Sequence, residues 1–307
     1  MATWTRASAT PETALAELGL RGHASHWRQA LERFVAHRLA VASMAVLLLL
    51  VVLVLVGPVL SPYSPEHTNL NLRYEPPSLA HAMGTDSLGR DLLTRIMFGG
   101  RVSLTIGVLA MTVAITLGVL VGGLAGFYGG VADVVLMRFV DMMLSFPRLF
   151  LLILFSVFLG GRFLTVVLLL GGLSWMGVSR LIRASFLSLK ERQYVEAARA
   201  LGVPDLQIML RHMLPNALAP IIVAATLGIA TAIIAESTLS FLGLGIQPPT
   251  PSWGNMLKDA QTDMVVAPWT AVFPGLAIFV AVVAINFIGD GLRDALDPRH
   301  VIRSMRR

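Results

Sequence analysis

An apolar run long enough to cross a lipid bilayer is the feature that most constrains this chain. Residues 39–60 carry no charged side chain. A helix of about 20 residues crosses the roughly 30 Å hydrocarbon core, because each residue rises about 1.5 Å. Of the 307 residues, 55% are hydrophobic and only 14% are charged, whereas a soluble domain has about 25% charged residues. The sequence therefore predicts an all-α integral membrane protein and excludes an ordinary soluble enzyme.

Six transmembrane helices are predicted in total. After 39–60 they are 102–127, a segment ending near 159, 163–182, 217–239 and 268–288. With the N-terminus in the cytoplasm, 18 of the 24 Lys and Arg residues fall on the inner side. The positive-inside rule therefore favours both termini inside. The net charge of +6 is then a consequence of topology, and no nucleic-acid partner is needed to explain it.

This topology divides the chain into five predicted regions. They are a cytoplasmic N-terminal tail (1–38), the first transmembrane helix (39–60), an external segment (61–101), a five-helix core (102–290) and a cytoplasmic C-terminal tail (291–307). Within the external segment we expect a short helix over 85–98 that ends at Gly99 and Gly100.

Small residues recur at every fourth position of the second predicted span. They are Ala110, Ala114, Gly118, Gly122 and Gly126. On a helix they form one stripe that lets another backbone approach closely. We expect tight helix packing there, against either a helix of the same chain or a second subunit.

The long inner segment between the fourth and fifth spans is typical of a helix–turn–helix. The first helix has one apolar face, Gly202 is placed to cap it and Pro204 prevents its continuation. Asp205 is then expected to cap a second short helix. An interfacial amphipathic hairpin would fit this pattern. A docking site for a cytoplasmic partner fits it better, because the apolar face is small and bounded by charge.

The sequence offers no obvious catalytic constellation. Its two lysines, Lys190 and Lys258, do not follow a phosphate-binding glycine motif, and there is no cysteine. No metal-ligand spacing occurs in a predicted span. Glu236, near the outer end of the fifth span, is a membrane acid of uncertain role. Ionisable residues inside a membrane are often functional, and the alternative is a hydrated position near the interface.

The inner segment resembles the EAA loop of ABC importer permeases, whose pattern is E-A-A-x3-G-x9-I-x-L-P. The matching residues are Glu196, Ala197, Ala198, Gly202, Leu214 and Pro215, with His212 in place of the isoleucine. Residues 81–91, 247–254 and 286–299 are similar to stretches of the dipeptide and oligopeptide permeases. The 81–91 segment is most similar to the C-type subunit of that family.

The resemblance implies a bundle that forms a translocation pathway by alternating access. It implies a B-type permease partner, two cytoplasmic ATPase subunits that carry ATP and Mg, and an extracellular or periplasmic binding protein, with the complex in the cytoplasmic membrane. The EAA residues would couple to the ATPases, and no catalytic residue, cofactor or metal is expected in this chain. Asp86, Arg90, Asp91 and Trp253 are the candidates for an external gate or a docking site for the binding protein.

Three alternatives remain at this point. An ABC importer permease for another solute, such as nickel, would share these motifs. An ion-coupled secondary transporter could use Glu236, although the sequence shows no internal symmetry of the kind common in that class. A membrane-embedded enzyme would need a catalytic constellation that the sequence does not offer.

Overall fold

The computed structural model describes residues 26–297, and within that range the regular secondary structure is helical apart from one isolated bridge between Thr85 and Asp91. The twelve helices of that range, in chain order, are α1 (His26–Ala36), α2 (Arg38–Leu60), α3 (Leu92–Tyr128), α4 (Gly130–Leu144), α5 (Arg148–Leu159), α6 (Phe163–Gly172), α7 (Trp175–Lys190), α8 (Gln193–Ala200), α9 (Asp205–Gln207), α10 (Leu218–Phe241), α11 (Trp253–Ala260) and α12 (Trp269–Leu296). Short 3₁₀ turns lie at Leu70–Leu72 and Pro215–Ala217, and a π-helical turn lies at Ile208–Met213.

Four to six membrane spans are present in the described part of the chain. The helices α2, α3 and α12, together with the continuous run Asp205–Phe241, are each long and apolar enough to cross a bilayer. The pair α4 and α5 is bent by 81°, and the pair α6 and α7 by 42°, so each pair counts as one further span if it crosses as a unit. The all-α membrane fold is therefore confirmed.

The third predicted span is broken at a proline. Pro147 lies between α4 and α5 and caps the start of α5. Proline lacks an N–H group and disfavours a helical conformation in the residue before it. The chain therefore turns sharply between the two helices, and the sequence pattern alone did not reveal the size of the bend.

Neighbouring helices pack in defined directions. Between α2 and α3, Gly57 lies against Met97 and Gly100 lies against Val54. Between α3 and α10, Gly107 lies against Ile233 and Gly228 lies against Met111. Between α3 and α7, Gly118 lies against Val178 and Gly126 lies against Arg183. Both α2 and α10 are thus antiparallel to α3, and α7 is parallel to it. We call the end of the bundle that carries residues 190–217 the hairpin end. We call the opposite end, which carries residues 61–91 and 242–268, the loop end.

The start of α3 differs from the sequence expectation. The prediction of a short helix over 85–98 that ends at Gly99 and Gly100 is wrong, because α3 begins at Leu92 and continues through both glycines. Asp91 caps the helix by accepting a hydrogen bond from the Thr94 N–H. The glycines lie against Ser252 and Trp253, so their role is close packing. The predicted external segment 61–101 therefore includes the first turns of α3.

The predicted tails also contain helical residues. The helix α1 lies in the predicted N-terminal tail, and its Phe34 ring approaches Gly291 of α12. The helix α12 continues to Leu296, beyond the predicted boundary of the core at residue 290. The remaining tail residues, 1–25 and 298–307, lie outside the described range.

Candidate functional site

The stripe of small residues on α3 packs against α7 of the same chain. Ala114 is fully buried, and an added side chain at Gly118, Gly122 or Gly126 would overlap Val178, the Ser179 backbone or the Arg183 backbone. Helices approach this closely only where one of them lacks side chains. The sequence left two partners open for this stripe, and the structure places an internal helix there.

At the hairpin end, α8 is closed by a Schellman motif. Gly202 has a φ of 74°, a left-handed conformation that glycine adopts without strain. The Gly202 N–H donates to the Arg199 carbonyl at 3.0 Å, and the Val203 N–H donates to the Ala198 carbonyl at 3.1 Å. These two bonds satisfy the last carbonyls of the helix and fix the direction in which the chain leaves it.

The second half of the hairpin begins without a side-chain cap. The structure places Pro204 before α9 and shows no side-chain capping bond there, so the expected capping role of Asp205 is wrong. Asp205 is the first helical residue, where its charge still faces the positive end of the helix dipole. The chain then passes through the π-helical turn Ile208–Met213 into α10.

Buried apolar side chains anchor the hairpin to the bundle. Val195, Ile208 and Met213 are fully buried in the main apolar core, together with Phe127 and Phe186 from the ends of α3 and α7. In addition, the Arg199 guanidinium lies over the Phe127 ring at 5.6 Å, a cation–π arrangement. The hairpin is therefore fixed to the bundle by its own inward face.

The outward face of the hairpin exposes apolar side chains among charged ones. Glu196, Ala197, Gly202 and Pro215 are exposed, whereas Ala198 is buried and Leu214 is partly buried. Three leucines expose most of their surface: Leu201 (83%), Leu206 (65%) and Leu210 (53%). Apolar surface of this kind next to charged residues is typical of an interaction site.

At the loop end, Asp86 organises a tight turn. Its carboxylate accepts hydrogen bonds from the N–H groups of Leu88 and Arg90, at 2.9 and 3.0 Å, and from Arg90 Nε at 2.6 Å. The side chain of Asp86 is 8% exposed. A buried carboxylate of this kind is stable only when it is fully hydrogen-bonded, so Asp86 holds the loop together.

Asp91 connects this loop to α3. Its Oδ2 accepts hydrogen bonds from the Thr94 N–H and Oγ1, and its Oδ1 lies 2.9 Å from His81 Nδ1. Asp91 and His81 are both buried, and the His81 ring lies against Tyr63 at 4.8 Å. The first and last residues of the 81–91 motif therefore meet at the start of α3.

A cluster of charges fixes the loop and α3 to α11. Asp259 lies 3.5 Å from Arg90 and 3.8 Å from Arg95, and Arg95 also lies 3.6 Å from Asp86. We call these four residues the charge clamp. Partial burial has the largest effect and raises the pKa of the Asp259 carboxyl, whereas Arg95 and Arg90 lower it. The net direction is upward, so the pKa lies above the ordinary value of an aspartate.

Trp253, the first residue of α11, is part of the packed core. Its side chain is fully buried, and its indole Nε1–H donates to the Ile96 carbonyl of α3 at 3.0 Å. The ring fills the space over Gly100, beside Val54 and Ala281. Ser252 caps α11 in a reciprocal arrangement with Asn255.

Glu236 is completely buried. Ser103 Oγ donates to its Oε2 at 2.9 Å, and Ser240 Oγ donates to its Oε1 at 2.7 Å. The alternative of a hydrated residue near the interface is therefore wrong. The three residues form a polar cluster between α3 and α10 inside an apolar bundle.

Sequence reasoning missed Ser103, Arg95 and Asp259. Arg95 was visible as a charge in the first turn of an apolar helix, which signals a buried partner. Ser103 carried no signal, because serine is common in transmembrane helices. Only the tertiary structure shows that Asp259 lies next to Arg95, because the two residues are far apart in the sequence.

The described residues offer no obvious metal site. In the range 26–297, no group of three or more His, Asp or Glu side chains is arranged to hold a metal ion.

Comparison with known proteins identifies the family. Residues 114–301 match the family described as binding-protein-dependent transport system inner membrane component, and residues 25–77 match the N-terminal transmembrane domain of oligopeptide transport permease C. The chain is 40% identical to the oligopeptide transport system permease protein OppC of Haemophilus influenzae, over 92% of this chain and 91% of that protein.

Two further relatives have similar coverage. The glutathione transport system permease protein GsiD of Pectobacterium atrosepticum is 43% identical over 89% of this chain and 91% of its own length. The dipeptide transport system permease protein DppC of Alkalihalophilus pseudofirmus is 41% identical over 90% of both chains. The chain is therefore a multi-pass membrane protein that belongs to the family of binding-protein-dependent transport system inner membrane components, the permeases of ABC importers.

Proposed function

We propose that this chain is the C-type permease subunit of an ATP-driven importer of dipeptides or oligopeptides. A second, B-type permease subunit completes the translocation pathway. Two cytoplasmic ATPase subunits bind ATP and Mg, and an external binding protein delivers the peptide. The relatives that carry oligopeptide, dipeptide or glutathione in their names support a peptide substrate.

The outward face of the hairpin is the observation that carries this proposal. Glu196 and Ala197 are exposed beside Leu201, Leu206 and Leu210, while the inward face of the same hairpin is anchored in the core. A rigid support under an exposed apolar surface suits a contact that transmits force. The hairpin would dock in a cleft of an ATPase subunit, and closure of the two ATPases would displace it.

The loop end has a different role in this proposal. Because Asp86, Asp91 and Trp253 are buried, they would shape the external gate by positioning α11 and the 61–91 segment. Direct contact with the binding protein would fall to exposed residues of the same loops.

Reconstitution tests the function. The full complex, built from both permease subunits and both ATPases, is placed in proteoliposomes with its binding protein outside and ATP inside. We expect uptake of labelled dipeptides or oligopeptides that depends on ATP and on the binding protein. Uptake of nickel ions but no peptide would instead favour the other-solute importer, and uptake by this chain alone, driven by an ion gradient, would overturn the proposal.

Cysteine cross-linking tests the docking site. The chain contains no cysteine, so a single introduced thiol is the only one in this subunit and reports one position of it. Ala197→Cys should cross-link to the ATPase subunit in the full complex. Leu79→Cys is the matched control, because Leu79 is fully exposed but belongs to the loop end. Equal cross-linking from both positions, or none from Ala197→Cys, would contradict hairpin docking.

A further inference from the structure

The polar cluster around Glu236 reaches beyond its own helix pair. Ser103 Oγ, which donates to Glu236, also accepts the backbone N–H of Trp253 at 3.3 Å. Ser240 Oγ, the other donor, accepts the backbone N–H of Ile246 at 3.1 Å. A single buried carboxyl group therefore connects α3, α10, the start of α11 and the loop that leads into it.

The start of α11 packs tightly against the α10 residues next to Glu236. Gly254 lies so close to the Ser237 and Ser240 backbone and side-chain atoms that an added Cβ would lie 2.6 to 2.7 Å from them. Asn255 donates to the carbonyls of Ile246 and Thr250, which fixes the loop before α11. A movement of α10 at this level therefore moves α11 with it, because packed interiors transmit displacement.

The helix α10 is the last part of a longer helical run, and the first residues of this run belong to the hairpin. The run Asp205–Phe241 has 37 residues, which corresponds to about 55 Å at about 1.5 Å per residue. Glu236 is five residues before its last residue, near the loop end. The hairpin and the Glu236 cluster are thus the two ends of one long element.

We propose that Glu236 is a positioning residue for import, which holds the loop-end part of α10 to α11 so that displacement of the hairpin reaches the loop end. The inference rests on the proposed coupling role of the hairpin. Its chemistry is hydrogen bonding: the carboxyl group accepts from two serine hydroxyls, and these hydroxyls accept from the backbone of α11 and of its preceding loop.

The test uses the full complex with its binding protein and separates two ATPase rates. Glu236→Ala should leave assembly and the basal ATPase rate near wild type, because nucleotide is hydrolysed on other chains. Stimulation of the ATPase by peptide-loaded binding protein should fall by about fivefold or more, the size of a typical coupling between sites. Ser103→Ala, a smaller change, should lower stimulation in the same direction, and the double variant should lose no more than Glu236→Ala alone.

Two control variants make the result decisive. Thr238 lies on the same helix, and its hydroxyl donates to the Ile234 carbonyl of that helix. Stimulation should therefore stay at the wild-type level in Thr238→Ala. Glu236→Gln has the same size and keeps one oxygen acceptor. Its NH2 group can donate to the oxygen of the second serine, which has two lone pairs, so this variant should keep most of the stimulation. Normal stimulation in Glu236→Ala and Ser103→Ala, or a loss in Glu236→Gln as large as in Glu236→Ala, would overturn the inference. If instead the wild-type complex shows neither stimulation nor uptake, it is the proposed function that fails.

Discussion

At the scale of single residues, Gly202 shows how backbone conformation shapes the hairpin that we propose for coupling. Its φ of 74° lies in the left-handed region, and the open space around it would accommodate a side chain. Glycine is therefore favoured here for its backbone conformation and not for packing. A left-handed conformation costs about 1–2 kcal/mol for most other residues, and more for a β-branched one.

We predict that Gly202→Val lowers coupling and that Gly202→Asn largely preserves it. Valine disfavours a positive φ, so it would weaken the Schellman motif and alter the angle of the hairpin. Asparagine tolerates the left-handed region. Peptide uptake per ATP hydrolysed, in the assembled complex, should fall in the valine variant with assembly unchanged. Equal uptake in both variants would show that the cap does not matter for coupling.

At the scale of elements, the packing of α3 on α7 depends on particular glycines of the stripe. An added Cβ at Gly122 would overlap the Ser179 carbonyl, whereas an added Cβ at the adjacent Gly123 would lie 3.5 Å or more from the Phe186 and Met209 side chains. The two positions have the same residue type, helix and depth. They differ only in what faces them.

Gly122→Ala and Gly123→Ala should therefore differ in stability. We expect Gly122→Ala to destabilise the protein by about 1–3 kcal/mol, because overpacking forces the backbones apart. Gly123→Ala should be neutral or slightly stabilising, because alanine favours helix over glycine. Thermal unfolding of the purified complex in detergent measures both. A lower melting temperature for Gly123→Ala than for Gly122→Ala would contradict the observed packing.

The charge clamp joins α3 and α11, and its two carboxylates are unequal. The Asp86 side chain is 8% exposed and is hydrogen-bonded to its own loop, whereas the Asp259 side chain is 38% exposed. Burial, together with the negative charge of Asp86, raises the pKa of the Asp259 carboxyl against the opposing effect of Arg95 and Arg90. The clamp is therefore held mainly from the Asp86 side.

We predict that Asp86→Ala costs about 3–5 kcal/mol, since it leaves Arg90 and Arg95 without their buried partner. Asp259→Asn should cost less than about 1 kcal/mol, as is usual for a partly exposed pair. The same thermal unfolding assay compares them. If Asp259→Asn proved the more damaging change, the clamp would depend on the contact with α11 and not on the loop.

At the scale of the whole molecule, the two ends of the bundle differ in structure. The hairpin end presents an exposed apolar surface, and the loop end is closed by the charge clamp, the Asp91 cap and Trp253. The helix directions place residues 190–217 and 61–91 at opposite ends. Which end faces the cytoplasm is predicted from the distribution of Lys and Arg.

Labelling of single cysteines tests this orientation. In intact cells, a maleimide that cannot cross the membrane should modify Leu79→Cys and should not modify Leu201→Cys until the membrane is permeabilised. Both leucines are highly exposed in the isolated chain. The variants are therefore expressed without the ATPase subunits, which in the proposed complex would cover Leu201. Labelling of Leu201→Cys from outside would place the hairpin on the exterior and would remove the basis for coupling to cytoplasmic ATPases.

The sequence by itself determined the features that depend on neighbouring residues. The apolar run 39–60, the stripe of small residues on α3 and the glycine cap at Gly202 each arise from local periodicity or backbone preference. The EAA pattern belongs with them, because its residues lie within one short segment. Such features can be read along the chain, since their physical causes act over one or two helical turns.

Only the tertiary structure decided which distant residues meet. It placed α7 against the stripe, buried Trp253 over Gly100, and joined Glu236 to Ser103, a residue 133 positions away. It also showed that Gly99 and Gly100 continue a helix that their residue type was expected to end. The reason is physical: burial and hydrogen bonding between helices depend on the path of the whole chain, and the same glycine or carboxylate has a different role once a second helix packs against it.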